Sequence, residues 1–156
     1  HGGNEEYVKL FKTAFESENA VLIFPAGLVS RKQKGKIEDL IWKSSYISRA
    51  IKYKREIVPC HIDGRNSNAF YNLARFRKYF GIKANLEMFL LPSEMYKQRG
   101  KTITFTFGKP VSYTIFDERM NRHKWSALFK SYVYELKENP DLVFNEDYIN
   151  RKALTI

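Results

Sequence analysis

Val21-Leu22-Ile23-Phe24-Pro25-Ala26-Gly27-Leu28-Val29-Ser30-Arg31-Lys32 is the stretch on which the fold turns. A short apolar run, Ala20 to Phe24, reads as a buried strand and is broken by Pro25 and Gly27. A hydroxyl and two cations, Ser30, Arg31 and Lys32, follow at once. In an α/β sheet, ligands sit at the carboxyl ends of the strands, so this order predicts a small anion-receptive cluster at a strand end. The plainer alternative is a strand-ending turn followed by a solvated basic loop, Arg31-Lys32-Gln33-Lys34-Gly35-Lys36.

Upstream, Asn4 is a candidate N-cap, with Glu5 and Glu6 near the positive end of a helix dipole. Tyr7, Leu10, Phe11, Ala14 and Phe15 recur at helical spacing, which predicts an amphipathic helix over residues 5–18. Downstream, Ile37 to Tyr53 has helical character, with Leu40, Ile41, Ser44, Ile47, Ser48 and Ile51 on one side. Arg55 to Asp63 holds a second strand, and Pro59 within it suggests an edge or a bulge. Gly64 and Asn66 turn the chain into a basic helix over residues 69–80, with Phe70, Leu73, Phe76 and Phe80 on one face and Gly81 ending it.

Ala84 to Lys97 is ambiguous, helical in spacing but interrupted by Pro92. Thr102-Ile103-Thr104-Phe105-Thr106-Phe107 alternates cleanly as a strand, and Gly108-Lys109-Pro110 closes it. Arg122 to Lys137 predicts a last helix, and the segment from Glu138, with Asn139-Pro140, reads as a peripheral tail. The alternation of helices and strands argues for an α/β fold, a mixed sheet flanked by helices. Residues 1–137 form one domain on this reading, and residues 138–156 the tail.

The 156 residues suffice for one core, and 44% apolar content favours folding over disorder. The formal charge of +10, with 10 Tyr and 12 Phe, favours anionic partners: a membrane surface, a phosphate- or CoA-bearing substrate, or nucleic acid. A lone cysteine, Cys60, rules out an internal disulfide and supplies no CxxC zinc pair. No apolar run is long enough to span a bilayer.

Three segments, taken together and in order, carry a resemblance. They are Leu22-Ile23-Phe24-Pro25-Ala26-Gly27, Ile57-Val58-Pro59, and Ile103-Thr104-Phe105-Thr106-Phe107-Gly108-Lys109-Pro110. Across roughly residues 1–115 the chain resembles the C-terminal part of the glycerol-phosphate and lysophospholipid acyltransferase superfamily, especially its hemolysin-like and amino-acid-lipid members. The resemblance implies a glycerol-phosphate-acyltransferase-like fold, incomplete at its N-terminus. It also implies transfer of a fatty acyl group from acyl-CoA or acyl carrier protein to a lyso-lipid hydroxyl, at the cytoplasmic face of a membrane. Partners would be the acyl donor, the lyso-lipid acceptor and an anionic membrane surface, with no cofactor and no metal. Phe24, Pro25, Gly27, Ser30, Arg31 and Lys32 become the implied substrate-binding residues.

Two departures from the family pattern matter. The family's signature is Phe-Pro-Glu-Gly-Thr-Arg, whose Glu and Arg clamp glycerol phosphate. Here Ala26, Leu28 and Val29 stand at the Glu, Thr and Arg positions, which shifts the implied acceptor towards a lyso-amino-acid lipid. The family's base is a His-x-x-x-x-Asp pair, in which His takes the acceptor proton and Asp orients it. His61 and His123 have no Asp five residues on, and His1 with Glu6 lies at a helix start. No catalytic residue is therefore assigned within the chain, and the isolated chain is expected to be inactive.

Other features read more plainly. His61 and Asp63 share a strand face, but a structural histidine is the simpler reading. Cys60 beside Pro59 is a packing residue, and Gly108-Lys109-Pro110 lacks phosphate-loop spacing. Aromatic residues interleave with Arg49, Lys52, Lys54, Arg55, Arg75, Arg77 and Lys78, and some rings suit a membrane interface. The rival readings are a basic nucleic-acid-binding module and a non-catalytic lipid-binding module. The first lacks any RNP, zinc-finger or basic helix-turn-helix signature.

Overall fold

The aromatic residues sort the architecture. The computed structural model describes residues 2–33 and 35–153. His1, Lys34 and residues 154–156 lie outside the described residues, as do the side chains of Asn4, Glu5 and Tyr7. The order is α1 (Gly2–Glu16), β1 (Arg31–Gln33), β2 (Lys36–Glu38), α2 (Ser45–Lys52), β3 (Cys60–Asp63), α3 (Asn68–Tyr79), α4 (Leu91–Tyr96), β4 (Thr104–Phe107), α5 (Arg122–Glu135) and α6 (Glu146–Ala153). Short 3-10 turns cover Leu86–Leu90 and Tyr113–Ile115.

Helix α5 is the axis of the core. Asn121 caps it by accepting the Lys124 amide at 2.9 Å. Trp125, Leu128, Phe129, Tyr132 and Val133 are buried at the i, i+3, i+4, i+7 spacing of one helix face. Phe116 meets Trp125 edge-on at 5.6 Å, Phe144 meets Phe129 at 5.1 Å, and Tyr148 meets Tyr132 at 5.4 Å. The polar tips are satisfied: Trp125 Nε1 donates to Asp117 O at 2.9 Å and Tyr132 OH to Leu142 O at 3.0 Å. The segment beyond Lys137, expected to be peripheral, thus contributes Phe144, Tyr148 and Ile149 to the main buried cluster.

Helix α2 brings Tyr46, Ile47 and Ala50 to this core. It is shorter than the predicted Ile37–Tyr53 helix because Lys36–Glu38 pairs as a strand. Helix α1 begins ahead of Asn4 and docks through Phe15, stacked on Tyr53 at 5.4 Å. Arg55 donates to the carbonyls of Phe15, Ser17 and Asn19, a cation closing the last turn of α1.

The described strands form two separate two-stranded antiparallel sheets, β1–β2 and β3–β4, not one flanked mixed sheet. Val21 to Phe24 belongs to no strand; the segment is irregular, with Leu22 80% and Phe24 66% exposed, while Ile23 packs on the core. The expected basic loop is the β1–β2 hairpin, with Arg31 opposite Glu38 and Lys32 opposite Ile37. The Arg55–Asp63 strand contracts to Cys60–Asp63 plus a bridge from Ile57 to Val111. Pro59 sits between the two and accepts the Gly108 amide at 2.9 Å. The alternating segment pairs as expected, from Thr104 to Phe107. Ala84 to Lys97 divides into the 3-10 turn and α4, with Pro92 in the first turn of α4, where its missing N–H costs nothing.

Helix α3 corrects a predicted face. It buries Phe70, Tyr71 and Ala74, whereas Phe76 and the Phe80 that follows it are exposed. Gly81 does end it, in the left-handed region at φ +67°.

Candidate functional site

The Pro25-Ala26-Gly27 turn is closed by the Gly27 amide donating to Phe24 O at 3.0 Å. Gly27 has φ +68°, a left-handed conformation that glycine adopts without strain. The Lys43 amide donates to Pro25 O at 3.0 Å. A Cβ on Gly27 would stand 3.5 Å from Lys43 Nζ, so an ammonium lies directly over the turn.

The hairpin is fixed by two acidic residues that the sequence reading missed. Asp39 follows β2 and is a hub. Its carboxylate accepts from Ser30 Oγ at 2.6 Å and from Trp42 Nε1 at 2.9 Å. Its amide donates to Tyr134 OH at 2.8 Å, and its carbonyl accepts from Lys130 Nζ at 2.6 Å. Both of those partners lie on α5, so the base of the hairpin is tied to the core helix.

Glu87 is fully buried between two arginines. Arg31 Nη2 approaches it at 2.7 Å and Arg77 Nε at 2.9 Å. Arg31 Nη1 also donates to Val29 O at 2.8 Å, and its guanidinium lies 5.5 Å from the Phe70 ring centroid. Two cations sharing one buried anion leave a net positive charge of one beneath the hairpin. Glu87 had a legible signal: it is the first acidic residue after Asp63, set between Leu86 and Met88. A lone carboxylate in an apolar, cationic stretch needs a partner. Asp39 had none, since its partners come from the hairpin and from a helix far along the chain.

The six sequence-predicted residues are therefore placed unequally. Pro25 and Gly27 form the turn under Lys43, and Phe24 projects from it exposed. Ser30 has its proton committed to Asp39, and Arg31 is enclosed by Val29, Glu87 and Phe70. Lys32 is exposed on β1. The cation at the turn is thus Lys43, while Ser30 and Arg31 anchor the neighbouring hairpin through Asp39 and Glu87.

His61 packs edge-on to Tyr134 at 5.7 Å, and its Nδ1 is buried without a hydrogen-bond partner. Burial lowers its pKa against the weaker opposing pull of Asp63, which favours the neutral ring. Asp63 pairs with Lys137 at 3.2 Å. Among the described residues no group of three acidic, His or Cys side chains could hold a metal ion. No helix among them is long and apolar enough to cross a membrane.

Residues 1–142 match the family described as Acyltransferase. The chain is 45% identical over 132 residues to a lyso-glycine lipid O-acyltransferase of Bacteroides thetaiotaomicron, covering 85% of this chain and 48% of that protein. It is 43% identical over 133 residues to a lyso-glycine lipid O-acyltransferase of Phocaeicola vulgatus, again covering 85% of this chain and 48% of the relative. The chain thus spans about half the length of the curated relatives it matches. No solved structure matches it. With residues 1–142 matched, most of the chain is covered, and the chain belongs to the acyltransferase family.

Proposed function

We propose that this chain forms the acceptor side of a lipid O-acyltransferase. The enzyme transfers a fatty acyl group from acyl-CoA or acyl carrier protein to the hydroxyl of a lyso-amino-acid lipid of the lyso-glycine kind, and works peripherally at a membrane surface. The observation that carries this reading is the 45% identity to a lyso-glycine lipid O-acyltransferase, together with the loss of the acidic and basic signature residues at Ala26 and Val29. An acceptor carrying a carboxylate in place of a phosphomonoester needs fewer cations, and the Lys43 ammonium over the turn supplies one for a charge-assisted contact to it. The turn at Pro25 and Gly27 sets the backbone beside that ammonium group. Phe24 lies along the acceptor's alkyl chain, and Ser30 and Arg31 hold the hairpin in register.

The chemistry needs a base to take the hydroxyl proton as the oxygen attacks the thioester carbonyl and the thiolate leaves. No His-x-x-x-x-Asp pair is present in the 156 residues, and His61 faces Tyr134. The base is therefore assigned to sequence outside these residues. Incubating the isolated chain with acyl-CoA and lyso-glycine lipid, with product read by mass spectrometry, tests this. No turnover is expected, and robust turnover would place the base within the chain.

A further inference from the structure

Helix α3 has two apolar faces but only one is covered. Phe70, Tyr71 and Ala74 face the core, and Arg77 reaches Glu87. Asn72, Arg75, Phe76 and Tyr79 recur at i, i+3, i+4 and i+7, so they share the opposite side. They line a shallow groove of about 330 Å³. Phe76 is 58%, Tyr79 84% and Phe80 58% exposed. The three rings are contiguous, with Phe76 and Phe80 centroids 4.4 Å apart and Tyr79 and Phe80 5.2 Å apart. Exposed aromatics gathered in one place need a reason.

The charge around them names the occupant. Between Asp63 and Glu87 there is no acidic residue, while Arg65, Arg75, Arg77, Lys78 and Lys83 all fall in that interval. Arg75 and Lys78 flank the ring cluster on the helix and are exposed. A second copy of the chain would bring the same positive charge to the contact. An anionic lipid surface complements it. Rings enter the headgroup boundary while basic side chains meet lipid phosphates, the pattern of an interfacial helix.

We propose that the Asn72–Arg75–Phe76–Tyr79 face of α3, with Phe80 and Lys78, docks the protein on an anionic phospholipid bilayer. This rests on the reading of the chain as part of a lipid-modifying enzyme, but it uses none of the residues assigned to the acceptor site. Membrane binding and acyl transfer can therefore fail independently.

The test is sedimentation of the 156-residue chain with sucrose-loaded vesicles of phosphatidylcholine, with and without phosphatidylglycerol, in the absence of acyl donor and acceptor. Binding is expected only with phosphatidylglycerol present, and it should weaken as salt rises. Phe76→Ser with Tyr79→Ser, and separately Arg75→Gln with Lys78→Gln, should each lower the partition coefficient about tenfold or more. Unfolding of a double variant is guarded against by Tyr79→Trp, whose fluorescence should shift to the blue on adding anionic vesicles. Undiminished binding by both double variants, an unshifted Tyr79→Trp spectrum, or salt-sensitive RNA binding without vesicle binding would each overturn the assignment. Acyl transfer by an intact acyltransferase that carries this chain, measured in detergent micelles, does not require the docking surface. Its loss there would count against the proposed function and leave the docking result standing.

Discussion

At the residue scale, Arg31 changes meaning once its neighbours are known. In sequence it is one cation in a basic run. In the structure it is half of a two-arginine clamp on Glu87, which is completely buried. Glu87→Gln removes the negative charge that the two guanidinium groups share and leaves them facing each other. Breaking a buried pair costs about 3–5 kcal/mol. The midpoint of urea unfolding should fall accordingly, and an unchanged midpoint would show the triad to be energetically idle. Gly108 is a second such point. A Cβ there would stand 2.9 Å from Pro59 Cγ and 3.0 Å from both Leu136 Cδ1 and Tyr132 OH. Overpacking of this kind costs about 1–3 kcal/mol, so Gly108→Ala should lower the thermal midpoint visibly. Gly35→Ala is a control for space, since nothing lies within 4 Å of its Cβ direction, although its φ of +86° adds strain of its own.

At the element scale, α3 and α4 are held together by one carboxylate. Glu94 is buried and accepts from the Ser67 hydroxyl at 2.7 Å and from Lys97 Nζ at 2.8 Å. Burial alone would raise its pKa, but the Lys97 ammonium and the Ser67 amide and hydroxyl outweigh that and bring it down to about 2 from the usual 4.5. The folded state therefore holds the charged form more tightly than the unfolded chain does. The stabilisation is complete above about pH 4.5 and is lost as pH falls towards 2. Glu94→Gln should be less stable at neutral pH and should lose less on acidification over that window. Urea titrations at stepped pH read both. A variant with the same acid slope as the parent would contradict the pairing.

Elements were legible where local pattern and final environment agree. The alternating Thr104–Phe107 strand and the capped, periodic α5 pair and pack as their spacing predicts. Ala20 to Phe24 has the apolar β-propensity of a strand and forms none, because propensity is half an explanation. A strand also needs a partner for its backbone, and the described residues supply none. The β1–β2 hairpin is hidden by charge: Lys36-Ile37-Glu38 holds a single apolar residue, too few to mark a strand, and its pairing follows from the turn at Gly35 and the anchors at Asp39 and Glu87. The turn at Pro25 and Gly27 was visible from residue type alone. Lys43 over it was not, because the path that folds back from β2 sets that contact.

At the scale of the whole molecule, the polar and apolar sides of β3–β4 are reversed from a simple expectation. Register pairs Cys60 with Phe107 and Ile62 with Phe105, so these share one side of the ribbon. His61 and Asp63 lie on the other, against Tyr134 and Lys137 of the α5 region. Ile62, Phe105 and Phe107 are exposed, as are Leu22 and Phe24. Apolar ribbon faces left uncovered drive self-association. The apparent molar mass of the isolated chain from light scattering should rise with concentration, and Phe105→Ser with Phe107→Ser should suppress that rise. An apparent mass that rises equally steeply in the double variant would place the sticky surface elsewhere.

The proposed acceptor rests on the family, the altered signature and the Lys43 ammonium over the turn. The most direct measurement is a competition assay on an intact acyltransferase that carries this chain, supplied with one acyl-CoA and equal amounts of lyso-glycine lipid and lysophosphatidate, with both products quantified by mass spectrometry. The acylated glycine lipid should dominate, and Lys43→Gln should reduce its formation mainly through a higher KM. Preferential acylation of lysophosphatidate, with Lys43→Gln without effect, would contradict the reading of the Phe24–Lys32 segment as an amino-acid-lipid acceptor site.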